Sequence, residues 1–103
     1  MPCEKWNLKF MMKRVKEAGD LAKFVAERFS NLEYLMLIVG KLELLKENPF
    51  KYPKEKLGKD VYGNPVFSLE VTEDLRILYS VDSKNCLVFI WKIGHHKEVY
   101  GRD

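Results

Sequence analysis

The first part of the chain has the pattern of a short strand followed by a helix. Residues 5–11 alternate charged or amide side chains with apolar ones, which is the period of a half-buried strand. Apolar residues then recur every three or four positions and predict one helical face; they are Met11, Val15, Ala18, Ala22, Val25 and Phe29. Because glycine is unfavourable inside a helix, Gly19 allows a break there, with Asp20 as a new N-cap.

A second helix is predicted over residues 32–45, where the apolar face is wide. Ser30 and Asn31 supply its cap, and Pro49 ends it because proline disfavours helical geometry in the preceding residue. Residues 50–65 contain two prolines, two glycines and four lysines, and this composition predicts a long basic loop.

The pattern changes to period two in the second half, which predicts three strands. These strands span residues 66–71, 75–81 and 86–93, and are rich in β-branched and aromatic residues. The predicted fold class is α+β, in the order β-α-α-β-β-β, within a single domain of residues 1–103. In this fold an N-terminal strand and a two-helix hairpin pack on a three- to four-stranded antiparallel sheet.

Pairing arithmetic places an arginine inside the sheet. Symmetric pairing about a loop at residues 82–85 sets Val81 against Cys86 and Arg76 against Trp91. A three-residue loop at 72–74 sets Glu70 beside Arg76, and the face that holds Arg76 also includes Leu78, Ser80, Phe89 and Trp91. An unpaired buried guanidinium is costly, so Arg76 must be paired or must face solvent or a ligand.

Composition narrows the class of protein without identifying it. The chain has 103 residues, 47% hydrophobic, and a net charge of +3, too mild to indicate nucleic-acid binding by itself. Cys3 and Cys86 match neither a disulfide framework nor a metal-binding spacing, which favours a reducing cytoplasm. We expect no signal peptide and no membrane span, since the longest apolar run, residues 35–39, is far below the ~20 residues required.

The C-terminal half carries the motifs of a known group of proteins. Residues 75–81 read LRILYSV and residues 86–100 read CLVFIWKIGHHKEVY. This order of an Arg-apolar-apolar-Tyr strand, a hydrophobic strand, a Gly-basic segment and a Val-Tyr ending resembles the RelE/ParE toxin superfamily. Asn48-Pro49-Phe50 and Leu57-Gly58 are similar to the connector of that superfamily.

The resemblance implies a toxin of a toxin-antitoxin pair, with a small antitoxin protein as its partner. RelE-like members act at the ribosome and cleave mRNA through attack of the RNA's own 2′-hydroxyl on the adjacent phosphate, without a metal. ParE-like members instead poison DNA gyrase. We therefore expect a cytoplasmic mRNA endoribonuclease with no cofactor. The alternative is a gyrase-directed or catalytically weakened module that binds protein.

The resemblance also implies roles for individual residues. Arg76 matches the strand arginine of the family and suits a phosphate clamp, since a guanidinium binds two oxygens at once. His96 falls at a catalytic position, and imidazole serves as acid or base near neutral pH. Tyr100 matches a terminal tyrosine that stacks on a base or orients the hydroxyl. His95 is a weaker catalytic candidate than His96.

Two features leave alternatives open. Relatives often have basic residues on the strand before the clamp arginine, where this chain has Ser68 and Glu70. Glu70 is either a general base or a partner that neutralises Arg76. The candidate RNA-binding lysines are either phosphate contacts or a solvated surface; they are Lys51, Lys54, Lys56, Lys59 and Lys92. Lys92 is expected on the face opposite Trp91.

Overall fold

Two helices pack on a five-stranded sheet in the structure, a computed structural model that describes residues 3–96. The elements are β1 (Asn7–Phe10), α1 (Leu21–Phe29), α2 (Glu33–Glu47), β2 (Glu55–Lys59), β3 (Pro65–Glu70), β4 (Leu75–Asp82) and β5 (Leu87–His95). The strands lie in the order β1-β5-β4-β3-β2. β1 runs parallel to β5, and the other neighbours are antiparallel. The predicted α+β class is confirmed, with a larger, mixed sheet.

The predicted basic loop is wrong in part, because it contains β2. This strand pairs with β3, and the backbone N–H of Lys54 just before it donates to the carbonyl oxygen of Ser68 at 2.6 Å. Every residue of β2 is exposed because the strand forms an edge of the sheet. A strand without a buried face has no apolar alternation, so the period-two pattern gives no signal there.

The first helix is shorter than the apolar pattern predicts. Residues 11–17 are not helical, a single 3-10 turn covers Ala18–Asp20, and α1 begins at Leu21. The carboxylate of Asp20 accepts hydrogen bonds from the backbone N–H groups of Lys16 (2.9 Å) and Glu17 (3.3 Å). The break at Gly19 and Asp20 therefore occurs, since Asp20 stabilises a turn in place of a continuous helix.

The second helix agrees with the prediction at both ends. The side-chain oxygen of Asn31 accepts a hydrogen bond from the backbone N–H of Glu33, and the helix ends before Asn48 and Pro49. Several apolar side chains on α2 and at the residue before it face outward; they are Leu32, Met36, Leu37 and Val39. Neither helix within residues 3–96 has the length and apolar character needed to cross a bilayer.

The core depends on one face of β4. Four of its side chains are at most 1% exposed: Leu75, Ile77, Tyr79 and Val81. They pack with buried residues of both helices, which include Leu21, Val25, Ile38, Leu42 and Leu45. The hydroxyl of Tyr79 donates to the carbonyl oxygen of Pro49 at 2.7 Å and so attaches the end of α2 to the sheet. Burial raises the pKa of Tyr79.

The predicted pairing of β4 with β5 is wrong in register but correct in face. Val81 lies opposite Val88 rather than Cys86, and Arg76 lies opposite Gly94 rather than Trp91. The hairpin loop includes Cys86, whose φ is 56°, so β5 begins one residue later than expected. A bulge then shifts the register again between Leu78 and Tyr79. The predicted pairing of Glu70 with Arg76 is confirmed.

The two cysteines are joined, which corrects the expectation of no disulfide framework. Cys3 and Cys86 form a disulfide bond across 83 residues of sequence. They meet because β1 lies beside β5, where the backbone N–H of Asn7 donates to the carbonyl oxygen of Cys86 at 3.0 Å. Sequence spacing gives no sign of this pairing, since it depends on a parallel contact between the two ends of the fold.

We predict that Tyr79→Phe lowers the free energy of unfolding by about 1–2 kcal/mol at neutral pH, because the buried Pro49 carbonyl loses its donor. Burial raises the native pKa of Tyr79 above the ordinary value of 10.0, so the wild type loses stability as the pH rises past that value. The variant has no phenol and lacks this loss. Urea unfolding from neutral to alkaline pH measures both effects, with Tyr62→Phe at an exposed site as the control. Parallel pH curves for wild type and Tyr79→Phe contradict the prediction.

We predict that reduction destabilises the protein, because the bond between Cys3 and Cys86 restricts the unfolded chain. The entropy that the unfolded chain loses through a bond closing a loop of this length corresponds to about 4.5 kcal/mol, and this is the largest effect expected. Urea unfolding with and without dithiothreitol measures the difference. The double variant Cys3→Ser, Cys86→Ser should be insensitive to dithiothreitol, and equal stability of the reduced and oxidised wild type would refute the prediction.

Candidate functional site

The face of the sheet opposite the core carries the candidate residues in rows across the strands. One row runs from Glu70 on β3 through Arg76 on β4 to Gly94 on β5. The next row includes Ser68, Leu78 and Lys92. Register therefore brings Glu70 and Arg76 together, as the sequence predicts, near the end of β5 where His95 and His96 lie.

Arg76 is held by the loop that precedes its own strand. The side chain is only 8% exposed, and Nη1 donates to the carbonyl oxygens of Thr72 at 2.7 Å and Glu73 at 2.6 Å. Nε is buried and has no hydrogen-bond partner among residues 3–96. The guanidinium thus closes the β3–β4 turn, and its positive charge is fixed at the end of the sheet.

Glu70 forms no ion pair with Arg76, although the two residues lie opposite each other on neighbouring strands. Its carboxylate forms an ion pair with Lys54 at 3.4 Å, and both side chains are partly exposed. The alternative in which Glu70 neutralises Arg76 is therefore not observed, and Trp91, which the predicted register placed opposite Arg76, lies outside its row.

The two histidines at the end of β5 have different surroundings. Nδ1 of His95 lies 2.7 Å from the carboxylate of Asp74, and its ring packs edge-on against Phe29, with centroids 5.5 Å apart. His96 is exposed, and its backbone N–H donates to the carbonyl oxygen of Asp74. His95 is thus held between a loop and α1, while His96 is accessible. The remaining catalytic candidate, Tyr100, lies outside the described residues.

Lys92 lies on the same side of the sheet as Trp91, which contradicts the sequence prediction. Ile90 and Ile93 both belong to the core, so the two residues between them both turn to the open side. This breaks the alternation of a regular strand and follows from the bulge in the pairing of β4 with β5. Trp91 and Lys92 accordingly line the same two clefts.

The other candidate lysines are dispersed. Lys51 lies over the ring of Tyr52, with Nζ 5.5 Å from the centroid, and Lys54 is paired with Glu70. Lys56 and Lys59 belong to β2, and of these two only Lys59 lines a cleft together with Lys92.

A hydrogen-bonded chain that the sequence did not reveal fixes Trp91. Its indole N–H donates to the hydroxyl of Ser80 at 2.9 Å, and that hydroxyl donates to the carboxylate of Asp60 at 2.6 Å. Burial alone would raise the pKa of Asp60, but hydrogen bonds from Ser80 and from backbone N–H groups of Asn64 and Tyr62 hold it below 3.8. The sequence does contain a sign of the turn that holds Asp60, because Asp60, Gly63 and Asn64 are residue types typical of turns. In the structure Gly63 has a φ of 86°, and its backbone N–H donates to the carbonyl oxygen of Asp60.

Two clefts open on either side of Trp91 and Lys92. The first has a volume of about 630 Å³, is mainly apolar, and is lined by Leu57, Lys59, Asp60, Val61, Val66, Leu78, Trp91 and Lys92. The second has about 570 Å³ and includes four cations: Lys13, Arg14, Arg28 and Lys92. Sequence reasoning missed Lys13 and Arg14 because it assigned their segment to a helix. Within residues 3–96, no group of three His, Cys, Asp or Glu side chains is placed to hold a metal ion.

Comparison with protein families identifies the chain. A family profile described as "ParE toxin of type II toxin-antitoxin system, parDE" matches residues 8–100. The chain belongs to this toxin family. The match begins at the second residue of β1 and includes both helices and the other four strands, so the open face of the toxin falls within it. No match to this toxin is found among curated protein sequences.

Solved structures of similar fold agree with this assignment. A chain in the archaeal RelE–RelB complex from Pyrococcus horikoshii OT3 has 19% identity and a TM-score of 0.64, covering 87% of this toxin and 93% of that chain. A YoeB/ParE toxin from Agrobacterium tumefaciens has 14% identity and a TM-score of 0.58, with coverages of 87% and 98%. A chain in the YoeB–YefM complex from Staphylococcus aureus has 21% identity and a TM-score of 0.57, with coverages of 88% and 97%. At these identities the likeness concerns the fold.

We predict that Ser80→Ala lowers the free energy of unfolding by about 2–3 kcal/mol near neutral pH, because Trp91 and the charged Asp60 both lose a partner. The native pKa of Asp60 lies below its ordinary value of 3.8, so its contribution is present above that pH and is lost as the pH falls below it. The difference in the free energy of unfolding between wild type and Ser80→Ala should therefore become smaller as the pH falls below 3.8. Urea unfolding and the near-ultraviolet circular dichroism of Trp91 test this, with Ser83→Ala in the exposed β4–β5 loop as the control. An unchanged Trp91 spectrum in Ser80→Ala would contradict it.

Proposed function

We propose that this toxin is a ribosome-dependent mRNA endoribonuclease that needs no metal. The observation that carries the proposal is the row on the open face: Arg76 lies opposite Gly94, two residues before the exposed His96. A guanidinium and an imidazole therefore lie at one end of the sheet, the first suited to binding phosphate oxygens and the second to proton transfer. These are the two kinds of group that cleavage of a phosphodiester requires.

The proposed reaction uses the RNA as its own nucleophile. A base removes the proton of the 2′-hydroxyl, the 2′-oxygen bonds to the adjacent phosphorus, and the bond from phosphorus to the 5′-oxygen breaks. An acid protonates the departing 5′-oxygen, so the products are a 2′,3′-cyclic phosphate and a 5′-hydroxyl. Arg76 stabilises the negative charge that gathers on the phosphate oxygens.

The spacing of the row suggests how the proton-transfer roles are divided. Neighbouring strands are about 4.8 Å apart, so Glu70 and Gly94 lie roughly 10 Å apart with Arg76 between them. We assign the base to Glu70 and the acid to His96, on the two sides of the guanidinium. We also propose that Tyr100 orients the hydroxyl or stacks on a base. His95, bonded to Asp74 and packed on Phe29, positions the end of β5.

A second candidate function is supported by the hydrogen bonds of Arg76. Nη1 is committed to the carbonyl oxygens of Thr72 and Glu73, which is the geometry of a residue that stabilises a turn. If this is its whole role, the toxin is a gyrase-directed or catalytically weakened module that binds protein. The acidic Glu70 beside Arg76 favours the same alternative.

We propose that the partner of the toxin is a protein antitoxin, in keeping with the type II toxin-antitoxin system of its family. Two of the similar solved structures come from complexes, RelE with RelB and YoeB with YefM. The outward apolar residues Leu32, Met36 and Val39 follow one face of α2 and offer a surface for a partner helix. A ribosomal target implies that the toxin acts in the cytoplasm, where the bond between Cys3 and Cys86 would be reduced.

We predict that purified toxin cuts mRNA at codon-phased positions in a cell-free translation reaction, as mapped by 3′-end sequencing. His96→Ala should reduce the cleavage rate by about 10²- to 10⁴-fold, the usual contribution of a general acid or base. His95→Ala is the comparison variant: it removes the contacts with Asp74 and Phe29 but no proposed proton donor, so it should lower the rate much less than His96→Ala does. Arg76→Lys retains a positive charge without the planar donor pair, and should lower the rate while the protein stays folded by circular dichroism.

Intact mRNA at high concentrations of folded wild-type toxin would refute the nuclease proposal. A supercoiling assay with purified gyrase then tests the alternative. Inhibition that persists in His96→Ala would support a protein-directed toxin.

A further inference from the structure

Trp91 and Lys92 form a ridge between two clefts of different character. Both residues line the apolar cleft of about 630 Å³ and the cationic cleft of about 570 Å³. They share this position because the bulge in β5 turns both side chains to the open side of the sheet. A ligand that crosses the ridge can therefore occupy both clefts at once.

The cationic cleft forms where β1 stops and β5 continues. β1 pairs with β5 only as far as Phe10 opposite Ile90, and the segment with Lys13 and Arg14 then passes the remainder of β5. Arg28 joins from the end of α1. Arg14 is 3.6 Å from Glu27, but the two side chains are 71% and 47% exposed, so solvent weakens this ion pair. The cleft is complementary to a chain of anions.

Three aromatic rings lie together beside the apolar cleft. Tyr62, Phe89 and Trp91 have centroids 5.7–6.4 Å apart and are tilted by 30–38° to one another. Tyr62 is 61% exposed, so most of one ring is available for a ligand. Because the hydroxyl of Ser80, itself bonded to Asp60, accepts the indole N–H of Trp91, this ring is held in place before any ligand arrives.

We propose that a single-stranded RNA binds across this ridge, with backbone phosphates in the cationic cleft and one unpaired base stacked against Tyr62 and Trp91. This proposal rests on the function proposed above and adds a substrate-binding track to it. Single-stranded nucleic acid combines the two features that the clefts match, since phosphates bind cations and every base has a face that stacks on an aromatic ring. An acidic peptide accounts for the cations but not for the exposed ring.

Fluorescence anisotropy of a short, labelled, single-stranded 2′-O-methyl RNA tests the proposal, because this RNA has no free 2′-hydroxyl and cannot be cleaved. Lys13→Gln and Arg28→Gln should each weaken binding. Each should also reduce the slope of log K against log salt concentration by about 0.7, the value for one lost phosphate contact on a single strand. Lys84→Gln, which changes the same charge in the β4–β5 loop at the other end of β5, should leave both quantities unchanged.

The stacking half of the proposal has its own variant pair. Tyr62→Ala should weaken binding by roughly 5- to 150-fold, while Tyr62→Phe keeps the ring and should bind like the wild type. The RNA should also quench the fluorescence of Trp91, and the signal should be absent in Trp91→Phe. The other tryptophan, Trp6, is buried in the core and serves as the internal reference.

Several results would overturn the proposal. The wild type could fail to bind the RNA at low salt, Lys84→Gln could lose as much affinity as Lys13→Gln and Arg28→Gln, or Tyr62→Ala could bind like the wild type. Stronger binding of an acidic peptide than of RNA, insensitive to Tyr62→Ala, would assign the clefts to a protein partner instead. If the toxin cleaves mRNA but the cleft variants bind RNA like the wild type, only the proposed RNA-binding track is refuted. If RNA binding depends on the clefts but no mRNA is cleaved, only the nuclease function is refuted.

Discussion

The pairing of β4 with β5 determines where every candidate residue of the open face lies. Its bulge lets Ile90 and Ile93 both enter the core, and this turns Trp91 and Lys92 together to the opposite side. Without the bulge, strict alternation would place one of those two residues in the apolar core, where a lysine is very costly. The register set by the hairpin loop would place Ile93 opposite Arg76, and the bulge moves this partner by one residue to Gly94. A residue without a side chain thus lies beside the guanidinium, at the exit towards His96.

Arg76 stabilises the β3–β4 turn and also holds a positive charge at the end of the sheet. Three backbone carbonyl groups surround Nη1, those of Thr72, Glu73 and Leu75, so the side chain replaces water in satisfying a tight turn. Hydrogen bonds to neutral carbonyls leave its net charge in place, unlike an ion pair with Glu70. Because Glu70 pairs with Lys54, the row across the sheet retains a positive centre. A buried cation without a carboxylate partner is the arrangement that a phosphate ligand would complete.

Local patterns predicted most of the fold, and contacts between distant segments account for the errors. Both helices, the β3–β4 loop and the face shared by Arg76 and Ser80 follow from periodicity and turn length. β2 escaped prediction because an edge strand exposed on every residue has no apolar alternation. The bond between Cys3 and Cys86 and the position of Lys92 depend on a parallel contact and a bulge, which leave no periodic signal. Among the candidate residues, turn length predicted that Glu70 lies opposite Arg76, but nothing in the sequence pattern indicated the partners that hold Trp91.

The positive charge of the cationic cleft likewise arises from topology. Residues 61–103 contribute few basic side chains, and a net charge of +3 predicts no concentrated field. Placing β1 parallel to β5 carries Lys13 and Arg14 past the end of their strand to the level of Lys92, and α1 returns Arg28 to the same place. Cations separated by tens of residues therefore act on one volume, where their potentials add within a Debye length of about 8–10 Å. Charge that is dilute in the sequence becomes concentrated next to the ridge of Trp91 and Lys92.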